Sequence, residues 1–308
     1  MGAIRLGIIG LSEGNGHPFS FSAIVNGYSE PDLAASGWPV IHEYVRSRDP
    51  SEFGIDRMKV THAWTQDAYV TNMLCRACLI EHAVPRPLDM IGRVDAVIIA
   101  RDDYECHCEL AMPFLEAGMS VYVDKPLALE PGELRLLLPY LRSGRLMSCS
   151  AMRYARELDG VRAGLDGYGE LRLVRGAILN SWEKYGVHLL DAIAGVLGKA
   201  PRWALALDAP HMSVAMGMEG GPLIQIDALG EGPRVFSLEL FGSKRVSRHK
   251  IIDNFSMFRR MLHHFRTQVI TGRPVIDPDE TIGIMRALMA GRISRAEGRK
   301  VYLDEIEI

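Results

Sequence analysis

The chain has 308 residues, of which 48% are apolar, and a formal net charge of −3 at pH 7. A chain of this length can bury two cores rather than one, and a slightly acidic sequence without basic blocks argues against a nucleic-acid partner. No apolar run reaches the length of a bilayer span and the first residues lack the profile of a signal peptide, so we expect a cytoplasmic protein with a small-molecule partner and no membrane partner.

Five cysteines cannot all pair with one another, and we expect reduced thiols. Two groups resemble metal ligands: Cys75 and Cys78 in a C-x-x-C spacing, and Cys106 and Cys108 on either side of His107. Neither group has the spacing of a zinc finger or ribbon, and the C-x-x-C pair lies on the buried side of a predicted helix. We therefore predict core cysteines and no metal site.

The first half of the sequence alternates short apolar runs with helical patterns. Strands are predicted at residues 4–9, 59–64, 94–100, 120–123 and 146–150, and helices at residues 18–26, 67–82, 109–116 and 133–142. Residues 28–58 contain several prolines and glycines and one predicted helix, at 39–48, and look like an insertion. Apolar strands that alternate with helices predict an α/β Rossmann domain, a doubly wound parallel sheet, over residues 1–150.

From residue 171 onward the pattern becomes β-rich, with turns such as Glu-Gly-Gly-Pro between some of the runs. Strands are predicted at residues 171–179, 203–207, 212–218, 223–228 and 235–241, and helices at residues 187–197, 255–271 and 278–297. Short strands joined by tight turns are typical of antiparallel neighbours. Residues 151–308 therefore predict a second, α+β domain.

A glycine-rich loop of sequence GLSEGNG follows the first predicted strand and precedes the first helix. Such a unit can bind a pyrophosphate through backbone N–H groups, but the loop departs from G-x-G-x-x-G, carries Glu13, and could equally be a structural turn. After the second strand, Asp67 is the acid available for an adenosine ribose, and no arginine stands beside it for a 2′-phosphate. This favours NAD over NADP, with capping of the next helix as the alternative role of Asp67.

Asp124, Lys125 and Pro126 directly follow a predicted buried strand, at the sheet edge where open α/β folds bind ligands. A lysine amine there can assist proton transfer at a substrate hydroxyl, and the alternative is a solvated loop lysine. His188 begins a later predicted helix, with Asp191 one turn further on the same face. A histidine can remove the proton of a secondary alcohol, and the alternative is a capping or core histidine.

Taken together, these segments resemble the Gfo/Idh/MocA family, named for glucose–fructose oxidoreductase and inositol dehydrogenase. The similarity rests on five segments: residues 6–10, residues 94–118 with His107, residues 121–128 (VYVDKPLA, similar to a Glu-Lys-Pro signature), residues 186–191 (similar to G-x-H-x-x-D) and residues 241–244. The resemblance implies a Rossmann domain followed by a domain with an open, mainly antiparallel sheet. It also implies a homo-oligomer, dimer or tetramer, formed through that sheet.

The function that the resemblance implies is an NAD(P)-dependent oxidoreductase acting on a sugar, sugar nucleotide or cyclitol. It implies that Lys125 and His188 are catalytic, that Asp124 lies near the nicotinamide ribose and that Arg153 shapes the substrate pocket. We expect Tyr185 and Asp191 to bind substrate beside Arg153. We expect cofactor contacts from Gly10, Ser12, Gly14, Asn15, Gly16, Asp67, Arg101, Asp102, His107, Asp124 and Lys125.

Two further departures from the family concern charged residues. Asp124 replaces the usual glutamate, and Lys184 stands where an acid is expected four residues before His188. An ammonium at position 184 would favour neutral His188 and could bind an acidic substrate group, so Lys184 is a third predicted catalytic residue. The alternatives are a redox-assisted lyase or glycosidase that retains its NAD, and a ligand sensor of the same fold.

Overall fold

A computed structural model describes residues 2–308, which divide into two compact units. Each unit is assembled from separate segments of the chain. The first contains the chain up to Asp124, Leu137–Ser148 and Asn254–Val275, and the second contains Lys125–Leu136, Cys149–Asp253 and Ile276–Ile308. The predicted division at residue 150 differs from this arrangement because residues 125–136 and 254–275 each belong to the other unit.

Thirteen strands and ten α-helices lie within residues 2–308. The strands are β1 (Ile4–Ile9), β2 (Met58–Trp64), β3 (His82–Ala83), β4 (Ala96–Ile99), β5 (Ser120–Val123), β6 (Leu146–Met147), β7 (Leu171–Ile178), β8 (Trp203–Ala206), β9 (Met212–Gly217), β10 (Leu223–Ala228), β11 (Phe236–Gly242), β12 (Val246–Lys250) and β13 (Val301–Tyr302). The helices are α1 (His17–Asn26), α2 (Glu30–Ala34), α3 (Pro39–Arg46), α4 (Ala68–Ala77), α5 (His107–Glu116), α6 (Pro131–Arg142), α7 (Asp159–Ala163), α8 (Val187–Leu197), α9 (Asn254–Thr271) and α10 (Pro278–Glu297).

The sheet of the first unit has six parallel strands in the order β3-β2-β1-β4-β5-β6. The order reverses between β1 and β4, which makes their carboxyl ends a topological switch point. β4 is buried over its whole length, as expected of a central strand in a doubly wound sheet. The predicted Rossmann architecture is confirmed.

The predicted insertion at residues 28–58 packs onto the first unit. Tyr44 of α3 donates a hydrogen bond to Ser20 of α1 at 2.5 Å, and a Cβ atom at Gly16 would lie 2.6 Å from the ring of Trp38. The insertion therefore covers the beginning of α1. Helix α9 completes the same unit, since the Gln268 amide donates to the carbonyl oxygen of Leu146 in β6 at 3.0 Å.

The second unit contains a seven-stranded sheet in the order β12-β11-β7-β10-β9-β8-β13. β7 and β10 pair in parallel and the other neighbours are antiparallel, so the predicted open, mainly antiparallel sheet is confirmed. One face buries side chains such as Val174, Ile224 and Ile226. The alternate residues of the same strands lie on the opposite face.

Some element boundaries differ from the predictions. The helix predicted at residues 67–82 ends at Ala77 because Leu79 adopts a positive φ of 54°. The amide of Asn26 donates to the Cys78 carbonyl at 3.1 Å and stabilises this turn through a contact 52 residues away. Strands β3, β12 and β13 were not predicted. Two of them, β3 and β13, are two residues long, and β12 alternates exposed with partly buried residues at a sheet edge. No helix within residues 2–308 is both long enough and apolar enough to cross a bilayer.

Candidate active site

The glycine loop, residues 10–16, joins β1 to α1 at the switch point. Its backbone is held by side chains of the same unit. Gln66 accepts the N–H of Leu11 at 2.7 Å and donates to the carbonyl of Leu11 at 2.6 Å. Asn15 Oδ1 accepts the N–H of His17 at 2.8 Å, and Pro18 has no N–H. At the start of α1, the N–H of His17 is therefore already bonded to Asn15, and Pro18 has no N–H to offer. A G-x-G-x-x-G loop would leave such N–H groups available to a phosphate.

A loop cluster of five side chains, Ser12, Asn15, His17, Asp102 and Asp124, ties this loop to the strand ends beside it. Ser12 donates to Asp102 at 2.6 Å. Asn15 Nδ2 and His17 Nδ1 both contact Oδ2 of Asp124, at 3.2 Å and 2.5 Å, and Asp124 is 1% exposed. Sequence reasoning missed His17. His17 could have been found as a titratable residue at the first position of α1, because a side chain there can reach the end of a neighbouring strand.

Three other residues predicted to bind the cofactor have partners within the first unit. Asp67 caps α4 by accepting the N–H of Tyr69 at 2.7 Å. Arg101 donates from Nε to Asp103 at 2.9 Å, and the fully buried His107 contacts the carbonyl oxygen of Arg101 through Nε2 at 2.8 Å. These contacts shape the segments that follow β2 and β4. Direct contact of these side chains with a cofactor stays a prediction.

The carboxyl ends of β1, β4 and β5 nevertheless meet at the switch point, where open α/β folds bind dinucleotides. Ser12, Asp102 and Asp124 lie there, in the segments that follow these three neighbouring strands. Gly14 has a φ of 73°, and no atom lies within 4 Å of an ideal Cβ at this position. The turn at Gly14 is thus open for close approach of a pyrophosphate, whereas the start of α1 is not.

In the second unit, Lys184 and Tyr185 lie in one π-helical turn, Trp182–Gly186, that leads into α8. Turns of this kind recur at functional sites. Trp182 is 1% exposed and donates from Nε1 to the Leu288 carbonyl at 2.9 Å. A Cβ at Gly186 or at Gly291 would come within 2.8 Å of its ring, so only glycine allows this close packing. The buried tryptophan thereby fixes the turn that carries the candidate site residues.

A lysine–histidine cluster of Lys125, Ser150, Tyr185 and His188 forms around this turn. Lys125 is 3% exposed, which excludes the solvated-loop interpretation. Its Nζ donates to the carbonyl oxygen of Lys184 at 3.4 Å and lies 5.2 Å from the centre of the Tyr185 ring. The same ring meets the imidazole of His188 edge-on at 5.2 Å between centres. Tyr185 therefore contacts both residues predicted to be catalytic, and Lys184 contacts Lys125 through its backbone.

His188 Nδ1 contacts the hydroxyl of Ser150 at 2.7 Å. Ser150 lies outside α8, just after the last Rossmann strand, and sequence reasoning missed it. The Ser150 N–H donates to Asp191 at 2.7 Å, and Arg153 pairs with both Asp191 and Glu280. The structure therefore links Asp191 to His188 through Ser150, and a substrate-binding role of Arg153 and Asp191 stays a prediction. Burial raises the pKa of Asp191 to about 6, opposed by the charge of Arg153.

Within residues 2–308, no group of three or more His, Cys, Asp or Glu side chains is placed to hold a metal ion. Cys78 is buried, with its Sγ 3.3 Å from the carbonyl oxygen of Phe19. Burial raises the pKa of Cys75 to about 11 and that of Cys106 to about 11. Both thiols therefore stay protonated at neutral pH.

Solved structures share the fold over nearly the whole chain. Myo-inositol 2-dehydrogenase from Lactobacillus plantarum aligns with 97% of this chain and 99% of its own, with a TM-score of 0.77 and 18% identity. Scyllo-inositol dehydrogenase from Lactobacillus casei, solved with bound NAD(H) and scyllo-inositol, aligns with 98% of this chain and 99% of its own, with a TM-score of 0.74 and 15% identity. At these identities the likeness establishes the fold.

The comparisons of sequence each cover about a third of the chain. A protein of Amycolatopsis mediterranei (strain S699), described as an oxidoreductase subunit of UDP-kanosamine synthase, is 33% identical over 128 residues. That match covers 35% of this chain and 36% of the relative, about a third of its length. Residues 41–148, which begin after the glycine loop, match the family described as "Oxidoreductase family, NAD-binding Rossmann fold". The matched residues are therefore similar to the NAD-binding Rossmann part of the Gfo/Idh/MocA oxidoreductase family, in agreement with the resemblance found in the sequence.

Proposed function

We propose that this protein is an NAD-dependent oxidoreductase that interconverts a secondary alcohol and a ketone on a sugar, sugar nucleotide or cyclitol. The observation that carries the proposal is the contact of both buried Lys125 and His188 with the same Tyr185 ring. Two potential proton donors beside one ring suit recognition of a substrate oxygen. The inositol dehydrogenases of the same fold and the relative named for a UDP-sugar enzyme support a polyhydroxylated substrate.

The cofactor would be held by the first unit. Bound NAD supplies the acceptor for a hydride, and its reduced form supplies the donor. The turn at Gly14 is the part of the glycine loop open to the pyrophosphate. Asp102, just after β4, is suited to a ribose hydroxyl because a carboxylate accepts its hydrogen bond. A contact of Asp124 with the nicotinamide ribose would use its other oxygen, since Asn15 and His17 contact Oδ2. NADP is the alternative cofactor, because the preference for NAD rests on Asp67 as the acid that binds the ribose, and Asp67 caps α4 by accepting the N–H of Tyr69.

Lys125 would bind the reacting oxygen. The carbonyl of Lys184 and the face of Tyr185 both contact Nζ and hold it in one place. An ammonium there stabilises negative charge on the substrate oxygen, and in its amine form it can take the proton of the alcohol. His188 would supply a second hydrogen bond to the substrate, and Arg153 and Asp191 would support the pocket.

Lys184 supports a more specific hypothesis about the substrate. The carbonyl oxygen of Lys184 accepts a hydrogen bond from Lys125. The ammonium group of Lys184 is a candidate partner for a carboxylate or phosphate on the sugar. We expect Lys184→Ala to weaken binding of anionic sugars by roughly tenfold and to leave neutral sugars unchanged. Michaelis constants measured with matched neutral and anionic substrates test this. Equal effects on both classes would contradict it.

The reaction class can be tested by incubating the purified protein with NAD or NADP and a panel of sugars, sugar nucleotides and cyclitols. We expect stoichiometric formation of reduced nicotinamide, followed by absorbance, with at least one of them. Product without any change in the free nicotinamide pool would favour the redox-assisted lyase or glycosidase instead. Failure of NAD and NADP to bind in a calorimetric titration would favour the ligand sensor.

We also propose that the protein assembles with a second copy through the seven-stranded sheet. One row of cross-strand neighbours on its exposed face spans all seven strands and is almost entirely apolar. The row consists of Val246, Phe241, Leu173, Leu223, Gly217, Trp203 and Tyr302. Three of its members are 43% to 55% exposed, an unusual arrangement for a surface that stays in water.

The neighbouring charges on that face also suit a second copy of the same sheet. Arg248 pairs with Glu239 at 2.9 Å, and Arg175 with Asp227 at 3.4 Å, so the face alternates in sign and is self-complementary. We expect a dimer or tetramer by size-exclusion chromatography with light scattering. Leu223→Arg should shift it toward the monomer, and an unchanged mass for this variant would contradict the proposal.

A further inference from the structure

The hydroxyl group of Ser150 has a restricted set of partners. Ser150 is 1% exposed. Across residues 2–308, the hydrogen bonds of its Oγ involve two atoms: Nδ1 of His188 at 2.7 Å and the N–H of Met152 at 3.2 Å. The N–H of Met152 can only donate, so in that bond Oγ accepts.

This leaves one acceptor for the hydroxyl hydrogen. A buried hydroxyl donor is nearly always paired, because an unpaired one costs about 1–3 kcal/mol. Nδ1 of His188 can accept that hydrogen only when the ring proton is on Nε2. If Nδ1 carried the proton, it would donate to Oγ, and the Ser150 hydrogen would be left facing the donor of Met152 or the protein interior.

We propose that Ser150 donates its hydroxyl hydrogen to His188 Nδ1, so that neutral His188 carries its proton on Nε2 and offers the substrate a hydrogen-bond donor. Ser150 is then a positioning residue for His188. The part of this proposal that concerns the substrate rests on the proposed function, whereas the tautomer does not. A carboxylate in contact with Nδ1 would have the opposite effect, because it would hold a proton on Nδ1 and leave Nε2 as a base.

The assignment divides the chemistry between the two residues. A neutral imidazole with its proton on Nε2 stabilises negative charge on the reacting oxygen without transferring that proton. The proton of the alcohol then goes to the amine form of Lys125 as the alcohol is oxidised, and the ammonium returns it when the ketone is reduced. Lys125 therefore exchanges the proton, and His188 orients the oxygen. This differs from the sequence-based expectation that His188 is the base.

The backbone around Ser150 is itself held in place. Its N–H donates to Asp191 at 2.7 Å, and Asp191 is paired with Arg153. Asp191 thus acts on His188 through the serine that it orients, and its charge lies against a peptide N–H and a guanidinium.

The test is nitrogen NMR of the whole protein labelled with ¹⁵N-histidine, with the His188 signals identified by their absence in His188→Gln. In the neutral ring we expect a protonated Nε2 and an unprotonated, hydrogen-bonded Nδ1. Ser150→Ala should shift the Nδ1 signal toward that of a non-bonded nitrogen, and Ser150→Thr should restore it. A protonated Nδ1 in the unmodified protein would overturn the proposal, whatever the activity measurements show.

Kinetics supply the second readout. We expect Ser150→Ala to lower kcat by roughly tenfold to a hundredfold, with little change in the KM for NAD, and Ser150→Thr to recover most of it. Ser294→Ala is the matched control, because Ser294 is also fully buried in the second unit and accepts the N–H of Ala206 at 2.8 Å. It should lower Tm and leave kcat and the His188 signals unchanged. An equal loss of kcat in both variants would overturn the positioning role. If no substrate is turned over, the proposed function fails, but the tautomer is still decided by NMR.

Discussion

The loop cluster of the first unit and the lysine–histidine cluster of the second use polar side chains in different ways. In the loop cluster, buried Asp124 receives hydrogen bonds from Asn15 and His17, so a charge holds the loop in place. In the lysine–histidine cluster, Lys125 bonds a carbonyl oxygen and His188 a hydroxyl, both neutral groups. The first arrangement uses a buried carboxylate to hold a loop, whereas the second places the charge of Lys125 against a carbonyl oxygen and an aromatic ring.

The largest effect should come from removing that charge. We expect Lys125→Met to lower kcat/KM by about 10²- to 10⁴-fold, the usual contribution of a proton-transfer group, with the Kd for NAD within about threefold. Steady-state kinetics and calorimetric titration measure the two quantities. Lys125→Arg, which keeps the charge but changes its shape, serves as the control. If kcat/KM of Lys125→Met lay within tenfold of that of the unmodified protein, the proposed difference between the two clusters would be wrong.

The second prediction concerns Asp191 and pH. Burial raises its pKa from 3.8 to about 6, so the folded protein binds this proton more tightly than the unfolded chain does. The free energy of unfolding should therefore fall as pH rises from about 4 to about 6, by on the order of a few kcal/mol, and level off above that window. Asp191→Asn should lack this decline. Urea unfolding of both proteins from pH 4 to pH 7 tests it, and parallel curves would show that Arg153 cancels the cost of burial.

The third prediction addresses the loop cluster. His17→Ala leaves Oδ2 of Asp124 without its 2.5 Å partner and should lower the free energy of unfolding by about 1–3 kcal/mol. His42→Ala is the control: His42 contacts Glu30 at the surface, and we expect a smaller loss there. Urea unfolding measures both. If His17→Ala also weakens NAD binding more than tenfold, the loop cluster contributes to the cofactor site as well as to the loop.

The smallest effect should come from Asp67. Because Asp67 caps α4, Asp67→Ala should lower the free energy of unfolding by about 1 kcal/mol. We expect the KM for NAD to stay unchanged. Asp67→Asn should retain most of the cap. A tenfold rise in the KM for NAD in either variant would instead support the predicted contact with the adenosine ribose.

Much of the architecture could be predicted because periodicity reports burial directly. The apolar runs of β1, β4 and β5 and the stop at Gly198 after α8 matched the structure closely. The end of α4 could not be predicted, since it depends on an amide from Asn26 that only the fold brings there. Short edge strands also lacked a signal, because exposed residues carry no apolar pattern.

The candidate site divides in the same way. Lys125 and His188 were recognisable from sequence because each stands at the end or start of an element whose type the local pattern determines. Lys184 and Tyr185 were also predicted, since they precede His188 in the same segment. Ser150 was not, because it lies 38 residues before His188 and the two side chains meet only in the folded protein.

The sequence by itself determined the two sheets and the lysine and histidine that the second unit carries. Only the tertiary structure decided what those residues do, since hydrogen bonds between distant segments set which nitrogen of His188 holds a proton. That choice depends on a hydroxyl 38 residues away, beyond the reach of any local pattern.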